Sequence, residues 1–322
     1  MARDRAGAGL GLALLSAATF GTSGSFARSL TEAGWSPAAA VTARISAAAL
    51  VLAVPAAVLL RGRWPALRRN LGMIGGYGVF AVAGAQVCFF NAIEYVSVGV
   101  GLLLEYLGTV LVVGWVWLRT GQRPRRLTVA GSAVALTGLA FVLNLAGNTR
   151  LDPLGVAWGL GAAIGLAVYY VLSSQAGDDL PPVAMASAGM VVGAAVLGTL
   201  GLVRLLPMHA TFGDVRFAGH QTSWLVPVAG LSLVAAAVSY VVGIAAARML
   251  GARLSSFVGL TEVIFAVLFA WLLLGELPTA IQLLGGALIV AGVALVRIDE
   301  LAPRRASRVT VVQPEPALPT AS

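Results

Sequence analysis

Apolar runs of about twenty residues recur along the chain, and their length limits what it can fold into more than any other feature. The hydrocarbon core of a bilayer is about 30 Å thick, and about 20 helical residues are needed to cross it. Of the 322 residues, 59% are hydrophobic and 11% are charged, whereas soluble domains carry about 25% charged residues. The sequence therefore predicts a polytopic, all-α membrane protein.

The breaks between the apolar runs predict ten transmembrane helices. Their predicted bounds are 7–27, 37–60, 71–91, 97–118, 127–147, 153–173, 182–203, 223–247, 254–274 and 279–298. Segment 204–222 is the one sizeable loop between spans. The tail, 301–322, contains four prolines and is predicted to be a disordered cytoplasmic segment.

One pattern occurs twice in the chain. An ungapped offset of 154 residues pairs Trp, Gly and Pro residues of the first half with identical residues of the second, namely Trp117/Trp271, Gly121/Gly275, Pro124/Pro278, Gly131/Gly285 and Gly138/Gly292. Two copies of a unit with an odd number of spans must enter the membrane from opposite sides, as in many secondary transporters. We therefore predict two inverted five-helix repeats, residues 1–148 and 149–300.

The first apolar run also has features of a cleaved signal peptide, since arginines precede it and small residues end it. A second offset, of 145 residues, pairs Ala17 with Ala162 and Pro37 with Pro182. Removal of the first span would leave the sixth without its counterpart, so we expect the run to stay as a transmembrane helix.

The arginines predict the orientation, because short loops rich in Arg stay in the cytoplasm. With the N-terminus inside, sixteen of the 21 basic residues, all of them Arg, lie on the cytoplasmic side, four lie outside and Arg44 lies within a span. We expect a multi-pass protein of the bacterial inner (plasma) membrane with both termini in the cytoplasm. Arginines spread over short loops do not form the clustered surface that nucleic-acid binding requires.

Three ionisable residues, Arg44, Glu105 and Glu262, fall well inside predicted spans. A charge at the bilayer centre costs about 2.5–3.5 kcal/mol even on the lenient insertion scale, so each is expected to face a partner or a cavity. An internal ion pair that only locks helices together is the structural alternative. For Arg44, which cannot lose its proton, the expected partner is Glu105.

The two glutamates lie on similar helical faces, one in each repeat. Glu105 belongs to a stripe of small and polar residues that pairs at the 154-residue offset with a second stripe containing Glu262; the stripes are Ser97, Gly101, Glu105, Gly108 and Gly251, Ser255, Gly259, Glu262. The glutamates are one helical turn apart about the repeat axis. Carboxylates on both sides of the midplane suit a substrate site at Glu105 and a proton-coupling site at Glu262.

Polar and aromatic residues in the neighbouring spans are further candidates to bind a substrate, although such residues in membrane helices more often serve packing. They are Gln86, Asn91, Tyr106, Trp158 and Tyr169. Four GxxxG pairs predict close helix packing without indicating a substrate, and they are Gly72/Gly76, Gly155/Gly159, Gly161/Gly165 and Gly189/Gly193.

Motifs of several chemistries are missing from the sequence. It contains no Walker A sequence, zinc motif or nucleophile elbow, so we expect no cofactor, no metal and no enzyme activity. Cys88, the single cysteine, fits a small packing residue. His209 and His220 lie in the 204–222 loop with Asp214, where a solvated loop is favoured over a metal site.

The expected partners are a small-molecule substrate and the lipid bilayer, and the sequence leaves a homodimer open.

The chain resembles the EamA family of the drug/metabolite transporter superfamily over residues 8–298. The resemblance rests on the segments Ala18-Thr19-Phe20-Gly21, Val41-Thr42-Ala43-Arg44, Leu104-Glu105-Tyr106-Leu107-Gly108, Thr261-Glu262-Val263-Ile264-Phe265-Ala266 and Leu274-Gly275-Glu276. It is most similar to the branch with threonine and homoserine exporters. Family members usually carry proline in place of Thr109 and Val263, and the helix irregularity that proline produces is left open.

The resemblance implies efflux of small, amino-acid-like metabolites through a central cavity by alternating access, either proton-coupled or as a facilitator. Two alternatives stay open: a multidrug exporter of lipophilic cations that pairs them with the two carboxylates, and a non-transporting membrane scaffold or sensor. The scaffold would need no cavity around Glu105 and Glu262.

The arginine distribution predicts that the 204–222 loop is external. In a Cys88→Ala background, a cysteine at Gly213 is expected to react with a membrane-impermeant maleimide in intact cells, and a control cysteine at Gln122 only after permeabilisation. Labelling of position 213 from the cytoplasmic side alone would show that the orientation is wrong.

Overall fold

The computed structural model describes residues 2–144, 152–177 and 179–301, and the first half of this part is helical. Its helices are α1 (Ala2–Gly21), α2 (Ser23–Glu32), α3 (Pro37–Leu59), α4 (Trp64–Arg69), α5 (Leu71–Gly76), α6 (Ala85–Tyr95), α7 (Val98–Tyr106), α8 (Gly108–Thr120) and α9 (Arg126–Val142). A π-helical stretch, Tyr77–Gly84, connects α5 to α6. We call it the first π segment.

The second half adds a short hairpin to the helices. Its elements are α10 (Pro153–Gln175), α11 (Pro182–Leu202), strands β1 (Asp214–Phe217) and β2 (His220–Ser223), and helices α12 (Leu225–Ala229), α13 (Ser239–Gly259), α14 (Thr261–Leu274) and α15 (Ala280–Leu301). The strands pair antiparallel, with Asp214 opposite Ser223. Between α12 and α13 lies the second π segment, Gly230–Val238.

The predicted all-α membrane class is confirmed. Within the described residues, eight helices are long and apolar enough to cross a membrane, and the shorter apolar helices Arg126–Val142 and Thr261–Leu273 occupy the predicted fifth and ninth spans. The exact number of ten spans stays a prediction. Residues 145–147, which end the predicted fifth span, and the tail from 302 to 322 lie outside the described residues.

Helix ends follow local sequence signals. The Ser36 side chain accepts a hydrogen bond from the Ala39 amide and caps α3, which begins with Pro37. Asp152 caps α10 in the same way. At the other end, Gly121 after α8 and Gly275 after α14 adopt left-handed backbone angles, with φ of 69° and 74°, a conformation that glycine tolerates best. These two glycines form one of the pairs at the 154-residue offset.

Backbone irregularities also occur at matching positions in the two halves. Leu107 interrupts the helix between α7 and α8, and Leu260 interrupts it between α13 and α14, within one residue of the offset. The π segments match in the same way. The interruptions therefore form although Thr109 and Val263 stand where family members usually carry proline.

A break at Gly251 separates the predicted eighth and ninth spans, 223–247 and 254–274. Gly251 has φ 80° and ψ 162°, which lies outside the helical region and divides the helical run Leu225–Gly259 in two. Residues with a Cβ rarely adopt this conformation. The segment after the break, together with α14, corresponds to α7 and α8 of the first half.

Glycines let α9 and α15 cross in close contact. A Cβ on Gly138 would lie 2.5 Å from the Gly285 carbonyl oxygen, and one on Gly131 would lie 2.8 Å from that of Gly292. The order of the contacts reverses along the two helices, so α9 and α15 run antiparallel. This one pair of helices, equivalent at the 154-residue offset, therefore points in opposite directions.

Three of the four predicted GxxxG pairs lie in packing contacts. Gly189 packs against Tyr77, and Gly193 against Val82. The pairs Gly155/Gly159 and Gly161/Gly165 pack α10 onto α6 and α7, with the Cys88 side chain against Gly161 as expected of a packing cysteine. Gly72 and Gly76 differ, because nothing lies within 4 Å of a Cβ on Gly72 and only Leu172 within 3.8 Å of one on Gly76. An open face at this point explains why that prediction is wrong.

Among the described residues, the contacts between loops join segments that were predicted to share a side of the membrane. Ser36 accepts a hydrogen bond from the His209 amide, and Trp35 Nε1 donates to the Thr211 carbonyl at 2.6 Å, both on the predicted outer side. On the predicted inner side, Arg69 forms an ion pair with Asp179 at 2.7 Å. Which side faces the cytoplasm stays a prediction.

The crossing of α9 and α15 gives a test of packing. Gly138→Ala places a methyl group against main-chain atoms that cannot swing away, so we expect a loss of about 1–3 kcal/mol in unfolding free energy. Gly114→Ala is the matched control, because nothing lies within 4 Å of a Cβ there. Thermal melting in detergent compares them, and equal melting temperatures would contradict the close crossing.

Candidate functional site

A cavity of about 190 Å³ lies among the helices of both halves. Its lining combines three ionisable side chains, four tyrosines and apolar groups: Phe20, Ser23, Arg44, Ala81, Ala85, Gln86, Phe89, Leu102, Glu105, Tyr106, Leu166, Tyr169, Tyr170, Tyr240 and Glu262. We call it the central cavity. All three ionisable residues predicted to lie inside the membrane, Arg44, Glu105 and Glu262, therefore meet at one site.

The helix interruptions position the two glutamates. Glu105 lies in the last turn of α7, just before Leu107, and Glu262 lies in the first turn of α14, just after Leu260. Both side chains are half-buried, and they interact electrostatically with each other. Glu262 also interacts with Tyr106 and Tyr170. The carboxylates thus share the cavity with phenol groups.

Arg44 enters the cavity from α3, where it is 8% exposed. One terminal nitrogen of its guanidinium donates to Ser23 Oγ at 3.1 Å, and the other donates to the carbonyl oxygen of Ala235. The Phe20 ring lies 5.5 Å from the guanidinium carbon. These contacts connect α3 to α2, α1 and the second π segment.

The expected ion pair between Arg44 and Glu105 is wrong. In the part of the chain that the structure describes, no carboxylate lies within ion-pair distance of Arg44, and the glutamate that acts on it electrostatically is Glu262. A hydroxyl and a main-chain carbonyl hold the guanidinium instead. The carbonyl belongs to the second π segment, and a carbonyl oxygen has two lone pairs with which to accept.

A chain of aromatic rings forms one wall of the cavity. Tyr240 packs edge-on against Phe20 at 5.0 Å and against Tyr169 at 5.6 Å between ring centroids. Tyr169 continues to Tyr170 at 4.9 Å and to Tyr77 at 5.8 Å. Such a wall offers apolar surface and hydroxyl groups at the same place.

A pocket of about 20 Å³ extends the site towards α1. Ser16, Ser255 and Glu262 line it, and Tyr169 and Tyr170 separate it from the central cavity. Gly259 is required here, because a Cβ at this position would overlap the Tyr170 hydroxyl. The volume is enough for about one water molecule, next to hydroxyl groups that could exchange a proton with Glu262.

Most of the predicted substrate-binding residues line the central cavity. Arg44, Gln86, Glu105, Tyr106 and Tyr169 line the central cavity, as does the proton-coupling candidate Glu262.

Trp158 and Asn91 lie elsewhere. Asn91 donates to the Val87 carbonyl of its own helix. Trp158 shares a helical face with Tyr169 but lies 11 residues before it, about 16 Å along the axis at 1.5 Å per residue. A periodic pattern identifies a face, not a depth in the membrane, so the placement of Trp158 at the site was wrong.

Several cavity residues were not predicted, namely Phe20, Ser23, Tyr170 and Tyr240. Tyr240 could have been found, because the 154-residue offset pairs it with Gln86. Phe20 stands in a segment of the family resemblance. For Ser23 and Tyr170 the sequence carries no comparable signal.

Ion pairs lie beyond the two ends of the site. On the predicted outer side, Arg28 binds Glu276 and, at 2.7 Å, Glu32. On the predicted inner side, the Arg69 guanidinium holds the pKa of Asp179 below its usual value through a hydrogen bond. All five side chains are well exposed to solvent, where such pairs contribute about 0–1 kcal/mol. They can therefore break at little cost.

The loop histidines form no metal site in the structure. Among the described residues, no group of three His, Cys, Asp and Glu side chains could hold an ion. His220 belongs to β2, whereas the main chain of His209 binds Ser36. The structure places them apart from the central cavity.

Comparisons with known proteins show to which family and relatives the chain is similar in sequence, and which solved structure shares its fold. The EamA-like transporter family matches residues 7–144 and 153–298. A protein of Streptantibioticus cattleyicolor named "probable terminal-alkyne amino-acid exporter" is 30% identical over 279 residues, 84% of this chain and 88% of that protein. An "uncharacterized transporter" of Archaeoglobus fulgidus is 28% identical over 207 residues, 64% of this chain and 70% of that protein.

A solved crystal structure has the same fold. It superposes with a TM-score of 0.72 at 19% identity, and the match covers 90% of this chain and 96% of the other.

The contacts of Arg44 predict that Arg44→Ala lowers stability more than Glu105→Gln or Glu262→Gln. Each hydrogen bond of a charged group contributes about 1.5–3 kcal/mol, and Arg44 makes two that join helices, while the glutamates face the cavity. Expression level and melting temperature in detergent are the measurements. An Arg44→Ala protein as stable as the glutamate variants would contradict the bridging role.

Proposed function

We propose that this chain, which belongs to the EamA-like transporter family, exports small amino-acid-like metabolites across the bacterial inner membrane by alternating access. Membership of the family makes it a multi-pass membrane transporter and not an enzyme. The single observation that carries the proposal is the central cavity, where fixed charges of both signs and an aromatic wall meet among the helices.

The size of the cavity favours a small solute over a drug. Pockets for drug-sized ligands span about 300–1,000 Å³, whereas the central cavity has about 190 Å³. A non-transporting scaffold would not need such a cavity next to Glu105 and Glu262.

The chemical character of the substrate is proposed from the cavity and from a relative. Two carboxylates, an arginine and several hydroxyls suit a polar solute that carries charge. The Streptantibioticus protein is named an amino-acid exporter, and an amino acid has the size and polarity that the cavity favours. The two carboxylates also keep lipophilic cations as the second candidate class.

The proposed architecture is ten spans in two inverted repeats, 1–148 and 149–300, with both termini in the cytoplasm. The antiparallel crossing of α9 and α15 supports the inversion, because equivalent glycines meet in reversed order. The matching π segments and helix interruptions support the repeat. Such pairs of repeats rock against each other around a central site in many transporters.

Alternating access would open the two ends in turn. Opening outward would break the contact of Arg28 with Glu276, and opening inward would break the contact of Arg69 with Asp179. Both pairs join segments far apart in sequence, and their exposure keeps each contribution small. The energy for directed export would then come from a proton gradient, or export would run downhill as facilitation.

The two glutamates are proposed to have different roles. Glu105 would hold the substrate ammonium group, since a desolvated cation needs a fixed opposite charge. Glu262 would carry the coupled proton, because it faces both the central cavity and the small pocket beside Ser16 and Ser255. The ionisable groups that face Glu262 are Arg44, Glu105, Tyr106, Tyr169, Tyr170 and Tyr240.

Glutamine at each position separates these roles. Glu105→Gln is expected to weaken substrate binding at every pH, because it removes the counter-ion of the ammonium group. Glu262→Gln is expected to keep binding but to lose the pH dependence of transport, because a side-chain amide does not titrate in this pH range. The measurement is substrate flux in proteoliposomes with an imposed pH gradient, alongside binding at several pH values.

Thr137→Val is the matched control, since Thr137 is exposed and bonds only within its own helix. It should transport like the parent protein. If Glu105→Gln and Glu262→Gln also transport like the parent, the carboxylates serve packing and the proposed roles are wrong.

A further inference from the structure

In the part of the chain that the structure describes, the positive charge of Arg44 forms no ion pair. Its side chain is buried, an arginine stays protonated in proteins, and the described carboxylates all lie beyond ion-pair distance. Only two of its five N–H groups donate to protein atoms, Ser23 Oγ and the Ala235 carbonyl. A buried charge without an ionic partner is unfavourable unless an anion approaches it.

The same cavity holds charges of the opposite sign. Glu105 and Glu262 line it together with Arg44, on different helices from α3. When Glu262 carries the coupled proton, one cation and one anion are left, Arg44 and Glu105. A ligand with one carboxylate and one ammonium group would then meet a fixed opposite charge at each end and leave the net charge of the site unchanged.

We propose that Arg44 binds the carboxylate of a zwitterionic substrate, so that the exported, amino-acid-like solute is bound at both of its charged groups. The inference rests on the proposed export function and specifies its substrate class. The guanidinium fork suits a planar carboxylate better than a point charge would. Ser23 and Ala235 fix the fork from one side, and the Phe20 ring covers a face of it.

The aromatic wall is the place for the side chain of the amino acid. Tyr240 packs on Phe20, whose ring lies against Arg44, and Tyr169 packs on the other side of this row against Tyr240. A solute whose carboxylate meets Arg44 would lay its side chain against these rings. Short aliphatic amino acids fit this apolar surface and the small volume of the cavity.

Three probes that differ in one charged group test the proposal. L-norvaline carries both groups, butylamine lacks the carboxylate and pentanoate lacks the ammonium group. Binding to the purified protein in nanodiscs is measured by ligand-dependent thermal stabilisation, since a ligand that binds only the folded state stabilises it by an amount set by its dissociation constant. For the parent protein, L-norvaline is expected to bind at least about tenfold more tightly than either single-charge probe.

The two variants that each remove one charge should lose affinity for different probes. Arg44→Gln should weaken L-norvaline about 10- to 100-fold, towards the affinity of butylamine, and leave butylamine unchanged. Glu105→Gln should weaken L-norvaline and butylamine and leave pentanoate unchanged. Arg119→Gln, on the exposed inner end of α8, is the matched control and should change nothing. If Arg44→Gln does not accumulate, Arg44→Lys keeps the charge without the fork and should lower the norvaline-to-butylamine preference.

The outcomes separate the two proposals. Equal loss of L-norvaline and butylamine in Arg44→Gln, or equal binding of both by the parent, would overturn the carboxylate site while export of amine-containing solutes could stand. Binding of tetraphenylphosphonium with none of the three probes would overturn the proposed function as well.

Discussion

Hydrocarbon offers no hydrogen bonds to a backbone, and this constraint decides where irregular structure can occur in the chain. Each main-chain polar group in a span must find a partner inside the protein. In the structure, the two π segments and the interruptions at Leu107 and Leu260 lie next to the central cavity. The carbonyl of Ala235 shows how the demand is met, since it accepts from both Arg44 and Ser239 Oγ. Arg44, which gives the cavity its positive charge, is thus also a donor to irregular backbone.

Inside a bilayer no hydrophobic effect drives the helices together, and close packing of small residues serves this purpose instead. Gly189 admits the Tyr77 ring, and Gly259 admits the Tyr170 hydroxyl. Each glycine therefore does more than shorten a helix contact. It lets a bulky aromatic side chain from another helix reach the protein interior, where Tyr77 contacts Tyr169 and the wall of the cavity begins.

Much of the fold and of the site could be predicted, because hydropathy and the internal repeat are patterns that are visible along the sequence. They predicted the all-α membrane class, the approximate spans and the meeting of Arg44, Glu105 and Glu262. The errors concern what the patterns do not contain. Trp158 shares the correct face at the wrong depth, and the partner of Arg44 was sought among side chains although a main-chain carbonyl serves.

The backbone irregularities of the two halves match, yet the charged groups are placed asymmetrically. At the internal offsets Arg44 corresponds to Gly189, Glu105 to Gly259 and Glu262 to Gly108, so each charged residue has a glycine as its counterpart in the other half. In the proposed transport by alternating access, backbone symmetry would let two related conformations have similar energies. Asymmetry in the charges would give a bound solute one orientation in both conformations. At each of these glycines the missing side chain leaves room for an aromatic ring or a close helix contact. Each pair of positions therefore supplies a charge of the site in one half and close packing in the other.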